Sequence, residues 1–233
     1  MRTRAILPGG HVHRTVDLPS GGGKVPDEAL LVHASGGTCW MLLTPLEKGT
    51  QKTEWAECVT KACGMEIRVA AAKHSDQEVL RSLFQLYAYD FSEILSLDVE
   101  ETGRFREESL DSYWKDAWRF PFLLRADDHL AGFALVHHKS KLSAADDVWD
   151  MAEFFVLRRY RRRGVGMRAA HRIFATHAGE WEVRQRDVNV AATSFWRRVI
   201  SAYTGGSFGE DLLDDERWRG PVQRFTSGGT IGR

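Results

Sequence analysis

The chain has 233 residues with 32 basic and 32 acidic side chains, so its formal net charge is zero. That balance argues against a generally basic nucleic-acid or membrane-surface protein. A 43% hydrophobic share with 11% aromatics excludes a wholly disordered chain.

Composition is uneven along the chain. All three cysteines (Cys39, Cys58, Cys63), four of six prolines and nine of 21 glycines precede Met65, whereas only two of 25 aromatics do, Trp40 and Trp55. Residues 1–64 therefore read as a flexible leader and 65–233 as the folded domain, large enough to bury a core by itself. Met65 reads as an alternative start. Ser20-Gly21-Gly22-Gly23-Lys24-Val25 lacks the glycine spacing and the following Ser/Thr of a phosphate loop. Apolar pieces such as Ala29–Val32 and Met41–Leu43 show no sustained period. No run approaches the length of a membrane span, and the N-terminus lacks the apolar stretch of a signal peptide. The expectation is a cytoplasmic, disulfide-free protein without membrane or nucleic-acid partners, with a homodimer left open.

From Met65 onward the signals sharpen. Glu66–Ala71 predicts a strand, and Ser75-Asp76-Gln77-Glu78 predicts a capping box opening a helix. That helix would turn Val79, Leu80, Leu83, Phe84 and Tyr87 inward. Residues 90–116 hold nine acids against three bases; they read as a solvated face, or as a rim attracting a cationic amine. Phe122–Arg125 and Leu130–His138 predict a hairpin around Asp127-Asp128, and Val148–Leu157 a further strand. A helix from Gly164 would bury Met167, Ala170, Ile173, Phe174 and His177 along one stripe. Trp181–Asp187 predicts a strand. A helix beginning at Asn189 or a neighbour would turn Ala192, Phe195, Trp196 and Val199 inward, and Tyr203–Phe208 and Pro221–Thr226 complete the strands. The fold class is α/β of mixed α+β character.

The informative segment runs Phe154-Phe155-Val156-Leu157-Arg158-Arg159-Tyr160-Arg161-Arg162-Arg163-Gly164-Val165-Gly166-Met167. A strand enters a loop with two glycines, and a helix leaves it. Glycines let backbone approach a ligand, and amides at a helix start attract anions. Five arginines between 158 and 163, with no acid nearby in sequence, add positive charge. The segment reads as a phosphate or pyrophosphate cradle. Gly164-x-Gly166-x-x-Ala169 also satisfies a dinucleotide fingerprint, with Glu182 or Asp187 about 20 residues on. The arginine-rich spacer after Leu157 and the late position of the unit put that reading second.

Arg161-x-x-Gly164-x-Gly166 after Phe-Phe-Val-Leu resembles the acyl-coenzyme A signature of the GNAT superfamily of N-acetyltransferases. Asn189-x-x-Ala192-x-x-Phe195-Trp196 resembles the family's second conserved segment, and Leu130–Ala134 its third strand. The resemblance spans roughly 65–226. It implies a twisted mixed sheet whose fourth and fifth strands splay around the cofactor, flanked by helices. It further implies acetyl-coenzyme A as cosubstrate, a small-molecule or peptide amine as acceptor, and a pyrophosphate held by amides from Arg162 through Arg163, Gly164, Val165 and Gly166 to Met167, with Arg161 in the signature. Main-chain groups of Phe154, Phe155 and Val156 would pair with the pantetheine arm, Asn189 and Phe195 would belong to the same site, and an amide near Phe154–Phe155 would polarise the thioester.

Acyl transfer needs a base for the amine. Asp150 alternates with Ala152 and Phe154 and ranks first; Glu153 falls on the opposite face by strict alternation and ranks second, unless a bulge intervenes. The family's usual tyrosine acid is replaced by Trp196, with Tyr203 the nearest substitute. A non-catalytic coenzyme A-sensing or interaction module remains the alternative. His137-His138, His171 and His177 lack metal-ligand spacing, Cys58-x4-Cys63 is a poor zinc half-site, and no metal is expected.

Overall fold

A computed structural model describes residues 32–34, 37–39, 65–107 and 110–228. The chain divides into two units, 1–65 and 66–233. In the first, β1 (Val32–Ala34) pairs antiparallel with β2 (Gly37–Cys39). The remainder of the proposed leader, with its glycine-rich run and Met41–Leu43, lies outside the described residues.

In the second unit, β3 (Ile67–Ala71), β4 (Arg119–Ala126), β5 (His129–His137), β6 (Val148–Val156), β7 (Gly179–Arg184), β8 (Gly209–Asp214) and β9 (Arg219–Ser227) form one seven-stranded sheet in the order β3-β4-β5-β6-β7-β9-β8. Only β6 and β7 run parallel; every other neighbouring pair is antiparallel. The helices are α1 (Gln77–Leu95), α2 (Val165–Thr176) and α3 (Val190–Thr204). This is the mixed sheet flanked by helices that the sequence predicts.

Local chemistry explains most boundaries. The β4–β5 hairpin turns through Asp127 and Asp128, both at positive φ (47° and 67°), as a type I′ turn demands and short polar side chains tolerate. Leu80, Leu83 and Tyr87 of α1 are buried and pack with Phe133, Leu135 and Phe155; each such buried apolar side chain contributes about 1.5–3 kcal/mol. Phe155 meets Tyr87 of α1, whereas its neighbour Phe154 meets Phe195 and Trp196 of α3. Because successive strand residues face opposite sides, α1 and α3 cover opposite faces of the sheet.

Three expectations are corrected. Ser75 caps nothing: a short 3-10 turn over His74–Asp76 precedes α1, and Asp76 accepts the Lys73 amide at 2.8 Å. Tyr203–Phe208 is not a strand, because α3 continues to Thr204 and closes on Gly205 and Gly206 at φ 64° and 90°, conformations that suit glycine. The strand at Trp181 ends at Arg184, three residues before Asp187.

Candidate active site

β6 and β7 are paired only at Val148–Glu180, Trp149–Trp181 and Asp150–Glu182. Beyond Asp150 they part, and β6 stays bound to β5 alone through Val156. A cavity of about 420 Å³ opens there, lined by Glu153 and Phe154 of β6, Tyr87 and Phe91 of α1, and Asn189, Ala192 and Trp196 at the start of α3.

β6 carries a bulge that decides which carboxylate faces the cavity. Leu135 pairs with Glu153 and Val136 with Met151, leaving Ala152 as an extra residue. His137 pairs with Asp150. Leu135 and His137 share one face of β5, so Glu153 and Asp150 share one face of β6. Strict alternation, which separated them, fails at this point.

The two carboxylates nevertheless meet different surroundings. Asp150 is fully buried, and Arg184 donates to it through Nη2 at 2.7 Å and Nε at 3.2 Å. Burial raises its pKa, and the guanidinium opposes that shift. Glu153 is half-buried in the cavity wall, and Tyr87 donates its hydroxyl to Oε2. Burial pushes Glu153 up to about 7, against the pull of the Tyr87 hydrogen bond and Arg184. A carboxylate titrating near neutrality suits proton abstraction better than one clamped by a guanidinium.

Two aromatic groups complete this wall. The Tyr113 hydroxyl lies 2.6 Å from His137 Nε2, and His137 Nδ1 lies 3.8 Å from Asp150 Oδ2. Burial, with Arg119, Arg184 and Lys141 nearby, holds His137 down at about 4, so it is neutral at physiological pH. Burial also raises both Tyr113 and Tyr87 above the usual phenol range, keeping them protonated. Tyr203 stands elsewhere: its hydroxyl lies 2.8 Å from Ser227 Oγ, and its ring packs on Phe174 and Phe225, outside the cavity lining.

At the far end of β6, Leu157 enters a 3-10 turn over Arg158–Tyr160. Arg162 and Gly164 both have positive φ, 60° and 74°, and turn the chain into α2. The amides of Val165, Gly166 and Met167 open the helix and have no carbonyl one turn earlier to bond within it. A Cβ on Gly166 would sit 3.1 Å from Phe195 Cζ and 3.5 Å from Val156 Cγ2, so the glycine lets α2, β6 and α3 close together. Asn189 caps α3 by accepting the Ala192 amide at 3.0 Å.

The arginine run is not free of acids. Asp90 of α1 binds Arg158 Nη2 at 2.8 Å and also pairs with Arg161, whose Nε donates to the Val156 carbonyl at 2.7 Å. Arg162 and Arg163 remain exposed. Sequence separation hid Asp90, 68 residues from Arg158.

The family model described as "Acetyltransferase (GNAT) family" matches residues 80–200. The chain belongs to the GNAT acetyltransferase family. Among solved structures, an acetyltransferase from Thermus thermophilus aligns at a TM-score of 0.51 and 15% identity, covering 70% of this GNAT chain and 97% of that one. A spermidine N-acetyltransferase from Vibrio cholerae, in complex with CoA and spermine, aligns at a TM-score of 0.46 and 10% identity over 70% and 96% of the two chains. No curated protein matches the sequence.

Within this GNAT domain, the sequence-predicted Glu153, Phe154 and Asn189 line one cavity, Phe195 packs beside it on Phe154, and beyond Val156 Gly164 caps α2 while Val165, Gly166 and Met167 form its first turn. Tyr87, Tyr113, His137 and Arg184 were not singled out for the site. Tyr87 carried a signal, being the one hydroxyl-bearing side chain on an otherwise apolar stripe. Among the described residues, no cluster of three or more His, Cys, Asp or Glu could hold a metal ion, and no helix is long and apolar enough to cross a membrane.

Proposed function

We propose that the protein transfers an acetyl group from acetyl-coenzyme A to a primary amine. The observation carrying this reading is the parting of β6 and β7 beyond Asp150, with Glu153 standing in the gap. The free edge of β6 from Phe154 to Val156 offers main-chain groups to the amide-bearing pantetheine arm, as a sheet edge does to an added strand. The amides of Arg162, Arg163, Gly164, Val165, Gly166 and Met167 would hold the pyrophosphate at the start of α2, where the helix dipole favours anions. Exposed Arg162 and Arg163 add positive charge, whereas Arg161 braces the loop through Asp90 and the Val156 carbonyl.

In the reaction, Glu153 removes a proton from the ammonium, directly or through one water. The amine nitrogen attacks the thioester carbonyl carbon, and a main-chain N–H of Phe154 or Phe155 on the free edge stabilises the oxyanion. The C–S bond breaks, the amide forms, and coenzyme A leaves as a thiolate. The second proton of the attacking nitrogen passes through solvent to the thiolate as the amide forms; Trp196 cannot supply one, and burial makes Tyr87 and Tyr113 weaker acids than a free phenol. Holding amine and thioester in one cavity supplies most of the rate.

The test is thiol release from acetyl-coenzyme A across a panel of amines, alongside thermal melting with the cofactor. Saturation at about a hundred times Kd should add about 2.7 kcal/mol of stability. Melting that shifts with NADH and not with coenzyme A would replace this reading by dinucleotide binding. Binding of coenzyme A without turnover of any amine would replace it by a sensing module.

A further inference from the structure

The cavity has two unlike walls. Phe84 and Phe91 of α1, with Leu97 and Leu110, form an apolar one. Arg106, Arg119, Lys141, Arg184 and Arg186 stand among the polar lining, and Glu153 is the sole carboxylate among the lining residues.

These charges are unequally neutralised. Asp150 takes Arg184. Arg119 approaches Asp116 at 3.1 Å through Nε and lies over the Trp118 ring. Among the described residues, no ion pair engages Arg106, Lys141 or Arg186.

None of the described acids of 90–116 lines the cavity, and four of them are paired elsewhere. Asp90 binds Arg158 and Arg161, Glu107 and Asp111 bind Arg81, and Asp116 binds Arg119. What faces the cavity is therefore positive. Lys141 precedes the first residue of β6, whereas the glycine loop follows its last. The Lys141 amide bonds Glu182, which pairs with Asp150, and the strand from Asp150 to Val156 spans roughly 20 Å, so Lys141 belongs to the acceptor end and not to the pyrophosphate.

We propose that the acceptor amine carries a carboxylate close to its nitrogen and an apolar side chain, as an apolar α-amino acid does. The carboxylate would meet Lys141 and Arg186, and the side chain would lie against Phe84 and Phe91. The same positive field disfavours the ammonium form, which helps Glu153 deprotonate it, and it repels polycationic amines. This assignment rests on the reading of the cavity as an amine-acetylating site.

The experiment measures binding to the full chain saturated with coenzyme A, by calorimetric titration, for L-phenylalanine, 2-phenylethylamine (the same molecule without its carboxylate) and spermidine. Phenylalanine should bind at least about tenfold tighter than phenylethylamine, with spermidine weakest. Lys141→Met and Arg186→Gln should each lower that ratio by about threefold or more; both residues are exposed, and melting curves check that the variants fold. Equal or tighter binding of phenylethylamine or spermidine overturns the proposal, as does a lack of binding by phenylalanine, leucine and methionine alike. Phenylalanine-selective binding without thiol release would sink the acetylation reading while supporting this one. Thiol release with spermidine alone would do the reverse.

Discussion

Tyr87 of α1 donates its hydroxyl to Glu153 on β6, tying the helix over the cavity to the carboxylate inside it. Burial lifts Glu153 to about 7, and the Tyr87 hydrogen bond opposes that rise. Activity should therefore increase with pH through about 7 as the carboxylate ionises. Glu153→Gln should lower kcat/KM by about 10²–10⁴-fold and abolish that limb. Tyr87→Phe removes the pull that favours ionisation, so the limb should move to higher pH. Initial rates across pH check all three; a wild-type limb retained in Glu153→Gln would assign the base to another group.

Features written in contiguous residues were legible before the fold was known. Asp127-Asp128 specified a turn, Gly164-x-Gly166 a loop into a helix, and Asn189 or a neighbour a helix start, because each acts on backbone within a few positions. The placement of Glu153 was not legible. It depends on the bulge at Ala152, which exists only as a register shift against Leu135 and Val136. Nor could spacing reveal that Asp90 would bind Arg158 and Arg161 across about 70 residues, or that an inward tyrosine on an apolar stripe would meet a carboxylate 66 positions away. Tertiary register decides those contacts, and local pattern carries no record of it.

Asp150 and Arg184 form a buried pair with side-chain exposures of 0% and 5%. Removing one partner leaves the other charge in a low-dielectric site. Arg184→Met and Asp150→Ala should each cost about 3–5 kcal/mol in urea denaturation. A loss below about 1 kcal/mol would be the value of an exposed pair and would contradict the burial described.

The glycines separate structure from ligand binding. A Cβ on Gly132 would lie 1.9 Å from the Phe155 carbonyl oxygen, so Gly132→Ala forces β5 and β6 apart and should cost about 3 kcal/mol or more. Gly164→Ala places an alanine at φ 74°, a strain of about 1–2 kcal/mol at the loop itself. Gly166→Val presses on Phe195, beside the proposed pantetheine path. Both loop variants should lose the melting shift caused by acetyl-coenzyme A, whereas any Gly132→Ala protein that folds should retain it in part.

We propose that residues 65–233 fold and bind the cofactor without the preceding 64. The seven-stranded sheet and its three helices lie wholly within Ile67–Ser227. A chain beginning at Met65 should melt within about 1 °C of the full protein, under the roughly 2–4 °C that 1 kcal/mol moves a domain of this size, and show the same shift with acetyl-coenzyme A. A larger drop would mean that the N-terminal residues contribute to the stability of the folded domain.

Two groups in one wall should give stability opposite slopes with pH. Glu153 has a raised pKa, so the folded protein binds its proton more tightly than the unfolded chain; its contribution falls as pH rises from about 4.5 to about 7. His137 is depressed from 6.5 to about 4, so its contribution is complete above the unfolded value and is lost as pH falls through that window. The two oppose each other between about pH 4.5 and 6.5. Relative to wild type, Glu153→Gln should therefore gain stability as pH rises from 5 to 8. A His137→Asn variant should be most destabilised near neutrality, where it lacks the favoured neutral imidazole, and should approach wild type near pH 4. Denaturant midpoints for the three proteins across this range provide the measurement. Parallel curves would show that neither group changes its proton affinity on folding, and the base assigned to Glu153 would then lose its physical support.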